Sequence, residues 1–102
     1  MLSAELLARW NRTEEELLGA RADPLVRIAE TLEKQLAELE RLRRAARTRD
    51  GRARRRAVEA HAALLKRARL QRWYLVVQRE AVGLRRHGIL AELYPLPVAI
   101  DG

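Results

Sequence analysis

Two histidines, His61 and His87, are the only side chains that ordinarily titrate near neutrality, and no carboxylate stands beside either at metal-ligand spacing. His61 reads as a residue of a helix seam and His87 as a residue at a helix end. Ser3 is the single serine, and its position suits a helix N-cap. Glu14, Glu15 and Glu16 are consecutive carboxylates that a helix would point to different sides, so they form no acid–base pair. Glycine-rich phosphate loops and the H-E-x-x-H zinc spacing are absent. There is no cysteine to act as nucleophile, thiolate ligand or disulfide partner. The expectation is a non-enzymatic chain with no catalytic residue, no cofactor and no metal.

The chemistry that is present is cationic. Arg41, Arg43, Arg44, Arg47, Arg49, Arg52, Arg54, Arg55 and Arg56 fall within sixteen residues, opposed there by Asp50 alone. Guanidinium groups fork onto the paired oxygens of carboxylates and phosphates, so the cluster reads as a docking surface for an anionic partner. It lacks interleaved aromatics and any zinc or helix-turn-helix context, which argues against sequence-specific reading of bases. The plainer account is compositional: the chain carries 19 Arg against 2 Lys, and a solvated arginine-rich tip needs no ligand. The clustering is less well explained that way. Residues 1–40 are net −4 and residues 41–72 net +11, within a total of +7. Such polarity suits internal charge pairing or an anionic partner.

The elements that hold these side chains must be helices. Leu, Ala and Arg fill 54 of the 102 positions, against five glycines, three prolines and no phenylalanine. All three are strong helix formers, and the length suits a single domain spanning 1–102. The expected fold is all-α: a long antiparallel, coiled-coil-like helical hairpin with an additional N-terminal helix and an extended C-terminal tail. The first helix is expected over about 4–20, with Leu6, Leu7, Trp10, Leu17 and Leu18 on one side. Asp23-Pro24 is a strong start signal for a second helix over about 24–47. There Leu25, Leu32, Leu39 and Ala46 alternate with Ile28, Gln35 and Leu42 in a heptad. Residues 48–51 form a turn in which Gly51 takes the left-handed conformation. A third helix is expected over about 52–87, ended by Gly88 with Arg85, Arg86 and His87 at the negative end of its dipole. The tail, 88–102, opens with at most one further helical turn and is extended at Tyr94-Pro95-Leu96-Pro97.

Placing the two long helices side by side makes residue numbers across the seam sum to about 99. Leu39 then faces Ala60, Leu32 faces Ala68 and Leu25 faces Tyr74 or Leu75, large against small. Glu30 would lie near Arg69, Glu33 near Lys66 and Glu38 near His61. The seam face of the last helix carries His61, Leu64, Ala68, Gln71, Leu75 and Val82. A second stripe, Leu70, Trp73, Val77, Ala81 and Leu84, is left over as a candidate protein interface, which the first helix could cover within the monomer and a second copy of the chain instead or as well. Trp73 and Tyr74 sit at core spacing and read as packing residues, not as platforms for bases.

The functional expectation is a protein–protein interaction or assembly module, docking an anionic partner through the arginines and forming a homodimer or a hetero-complex. The alternative is a nucleic-acid binder making non-sequence-specific phosphate contacts. The N-terminal residues lack a signal-peptide pattern and no apolar stretch is long enough to span a membrane, so a cytoplasmic location is expected.

Overall fold

A computed structural model of the chain describes residues 22–101. The expected helix over 4–20, with Leu6, Leu7, Trp10, Leu17 and Leu18, lies outside them. The described residues are all-helical in class, with no strand among them: α1 (Ala22–Thr48), α2 (Gly51–Ala81) and the short α3 (Gly88–Leu93). α1 and α2 have 27 and 31 residues, about 40 and 46 Å at the helical rise. They pack against each other, and the described molecule measures 50 × 25 × 20 Å.

The heptad of α1 does what its spacing requires. Leu25, Leu32, Leu39 and Ala46 are buried, because steps of seven residues return to the same side of the helix. Ile28 and Leu42 are partly buried beside them, and Ala29 is buried as well. On α2 the matching set is Ala57, His61, Leu64, Leu65, Ala68, Leu75 and Arg79. Ala60 is exposed, so the residue that fills the seam there is its neighbour His61. The α1 and α2 leucines join Leu84, Leu90, Leu93 and Tyr94 in one hydrophobic cluster. Truncating a fully buried leucine such as Leu32 or Leu75 to alanine would cost about 2–5 kcal/mol.

Three details depart from the sequence expectation. α2 ends at Ala81, not near residue 87. Gly83, with φ +96°, supplies the left-handed residue; its N–H donates to the carbonyl of Glu80 at 3.0 Å and that of Leu84 to Arg79 at 2.9 Å. Those two bonds are the Schellman pair, with buried Leu84 as its apolar closing residue. Gly88, the expected cap, instead begins α3. The tail therefore opens with six helical residues before Tyr94 and the extended run beyond it. Finally, the ion pairs proposed across the seam do not form. Among the described residues the three ion pairs lie within α1: Glu38 with Arg41, and Glu40 with Arg44 and Arg47.

Candidate anionic-docking site and apolar face

The nine arginines separate into two groups. On α1, the Arg41 guanidinium grips Glu38, its Nε donating at 2.9 and 3.0 Å. That grip holds the Glu38 carboxyl below its ordinary pKa and raises Arg41 above its own. Arg44 and Arg47 flank one oxygen of Glu40 at 3.9 and 3.8 Å. Arg43 donates to the backbone carbonyl of Val98. Across the connection, Arg54 donates to the carbonyl of Asp101 at 3.1 Å. Five members of the cluster are thus engaged within the chain.

The remaining four, Arg49, Arg52, Arg55 and Arg56, are exposed and make no ion pair or side-chain hydrogen bond among the described residues. Arg52, Arg55 and Arg56 occupy the first two turns of α2, whose first turn has no acidic residue. That end of a 31-residue helix is the positive pole of its dipole. Carboxylates are favoured there and cations disfavoured. The sequence has placed its charge against the local rule, and the carboxylate at that end is Asp50 at the N-cap, whose side chain makes no capping hydrogen bond.

Three arginines hold the tail. Arg72 donates to the carbonyl of Tyr94 at 3.2 Å, Arg43 to that of Val98 and Arg54 to that of Asp101. Three backbone carbonyls of the tail thereby accept from guanidinium donors on both long helices. Leu93 and Tyr94 anchor its start in the core. Burial pushes the Tyr94 hydroxyl up to about 12, with the Glu33 carboxylate adding to it and the Arg79 cation opposing. Between α1 and the tail lies a cleft of about 580 Å³ floored by Leu39 and Leu93 and rimmed by Pro95 and Pro97. Its charged lining is Glu33, Glu40, Arg43 and Arg44, of which the last three have the intramolecular partners just described.

The histidines take up different roles. His61 is 1 % exposed and neither ring nitrogen has a hydrogen-bond partner. Burial, and then the nearby Arg43 cation, lower its pKa from 6.5. His87 is not at the end of α2 but before α3, where its Nδ1 accepts from Nε of the buried Arg79 at 3.2 Å. Arg79 also donates to the carbonyl of Arg86 at 2.8 Å, fastening the segment after Gly83 to α2. The sequence reading missed Arg79. Its position on the seam face, four residues beyond Leu75 and three before Val82, was the available signal.

The second stripe of α2 is partly as expected. Leu70 and Trp73 are 64 % and 61 % exposed, Val77 is half-buried and Ala81 exposed. Leu84 does not belong with them, because it lies beyond the end of α2 and is buried in the core. Trp73 and Tyr74, read from spacing as packing residues, are both exposed. No helix among the described residues is long and apolar enough to cross a membrane. No family model matches the chain, and no curated protein or solved structure matches it.

Proposed function

We propose that this chain is a non-enzymatic interaction or assembly module, in which α1 and α2 form an antiparallel, coiled-coil-like hairpin whose arginine-bearing tip docks an anionic protein surface. The hairpin reading is supported by the two-residue connection, the 50 Å length of the described molecule, and the Gln71 amide reaching the Ile28 carbonyl. One observation carries the docking reading. Arg52, Arg55 and Arg56 are unengaged at the helix pole that disfavours cations. A local preference broken without a compensating contact is the usual mark of a residue kept for function. The exposed stripe around Trp73 supplies a second, apolar surface suited to a protein partner. The cytoplasm is the compartment we assign to it.

The competing reading is a binder of nucleic acid through phosphate contacts, and exposed Trp73 and Tyr74 give it specific support, since bases stack on such rings. The test is co-purification of the untagged chain from lysate with and without nuclease. Protein partners retained after nuclease, and lost when Arg52, Arg55 and Arg56 are replaced by Gln, support docking on an acidic protein. Loss on nuclease treatment alone supports the nucleic-acid reading, which further requires an affinity for duplex DNA that falls steeply with salt.

A further inference from the structure

The apolar stripe of α2 has a charge pattern that selects its occupant. Helical spacing puts Lys66, Leu70, Trp73, Val77 and Glu80 along one side of α2. Leu70, Trp73, Lys66 and Glu80 are exposed, and Val77 half-buried. Lys66 and Glu80 stand equally far from Trp73 on either side, about 10 Å along the axis. Arg69, also exposed, lies on the Lys66 side.

We infer that this face binds a second copy of the chain, with the two α2 helices antiparallel and Trp73 of each near the symmetry axis. A two-fold axis at Trp73 sets Lys66 of one copy opposite Glu80 of the other, twice over. Apolar residues then meet apolar residues, with Leu70 within one residue of facing Val77 and the two indoles adjacent. A parallel arrangement would instead set Lys66 against Lys66 and Glu80 against Glu80. A self-complementary patch of this kind is what a closed two-fold dimer needs. A polyanion is a poorer occupant, because it would meet Glu80 and bare hydrocarbon at the centre. The indoles and leucines provide the attraction, while the exposed charge pairs fix direction and register, being individually weak. The inference rests on the reading of this face as an interface and is independent of the arginine tip.

The decisive experiment is sedimentation velocity of the full chain over about 1–100 μM at moderate salt, where most specific dimers assemble. A concentration-dependent dimer is expected. Trp73→Ala should make it a monomer with unchanged helical circular dichroism, since that ring is 61 % exposed and outside the core. Lys66→Glu and Glu80→Lys should each weaken dimerisation several-fold. Combining them in one chain, or mixing the two single variants, should restore it. A monomer at 100 μM overturns the proposal, and so does a double variant no better than the singles. Replacing Arg52, Arg55 and Arg56 by Gln should leave the dimer intact, so failure of the docking reading and failure of this one are separable. If Trp73→Ala instead abolishes binding to a single-stranded oligonucleotide in a chain that stays monomeric, the face is a stacking platform and the inference is wrong.

Discussion

The side-chain amide of Gln71 on α2 donates to the backbone carbonyl of Ile28 on α1 at 3.1 Å. A carbonyl within a helix already accepts from its own ladder, and its second lone pair is free for such a side chain. The contact ties positions that lie near the ends of the two helices remote from their connection, and 28 and 71 share the register deduced from the heptad. Spin labels on Arg27→Cys and Arg69→Cys, both exposed sites, measure that register directly. Side-by-side helices with axes about 10 Å apart put the labels about 20–30 Å apart. A continuous helix would separate them by about 63 Å. Dilution with unlabelled protein keeps the measurement within one chain, and a long distance would end the hairpin reading.

Gly83 and Gly88 provide a paired test of where α2 stops. Only Gly83 of the two has positive φ, and a Cβ at either would meet nothing within 4 Å. Gly83→Ala is therefore a purely backbone change, expected to destabilise by about 1 kcal/mol. Gly88→Ala, in a helical turn, is expected to be neutral or slightly stabilising. Urea denaturation of the two variants reads the difference. Equal costs would mean that Gly83 is not the left-handed residue that ends the helix.

How much of this was legible beforehand differs by residue. The buried row Leu25, Leu32, Leu39, Ala46 and its counterpart His61, Leu64, Ala68, Leu75 follow from spacing, because a long uninterrupted helix repeats its face faithfully. The exit from α2 was not legible. Gly83 and Gly88 are both plausible caps, and Arg85, Arg86 and His87 favour the wrong one. What decides is the burial of Leu84, a tertiary fact. Trp73 illustrates the same limit, since periodicity identifies a face but not whether anything covers it. Of the cross-seam pairs, Glu38 with His61 failed because Glu38 finds Arg41 one turn away on its own helix, where less side-chain freedom is lost than in reaching across. Glu30 and Glu33 form no ion pair among the described residues. The arginine cluster was visible as a cluster, but its division into engaged and free members depends on the path of the tail.

His61 makes stability depend on pH. It is buried with both ring nitrogens unpartnered, and its folded pKa lies below the ordinary 6.5. The unfolded chain therefore binds a proton at higher pH than the folded chain does. Stability is full above about 6.5 and is lost as pH falls from there through the lowered folded value. Thermal unfolding between pH 7.5 and 5.0 should show a falling midpoint. His61→Leu should flatten that fall and raise stability by about 1 kcal/mol at pH 7, since it removes buried polar atoms that have no partner. A variant as pH-sensitive as the parent would show that the proton is taken up elsewhere.

The arginine tip permits two neighbouring residues to be set against each other. Arg54 donates to the Asp101 carbonyl, whereas Arg55 is exposed and unengaged. Arg54→Gln should raise hydrogen exchange in residues 98–101 while leaving affinity for a polyglutamate probe nearly unchanged. Arg55→Gln should do the reverse, weakening the probe and flattening its salt dependence. Removing a cation from the positive pole of α2 should also leave the thermal midpoint equal or slightly higher. That combination, lost binding with retained or improved stability, is what separates a residue held for docking from one held for the fold. If Arg55→Gln, alone and together with Arg52→Gln and Arg56→Gln, leaves polyglutamate binding unaltered, the free arginines are a solvated tip and the docking proposal fails.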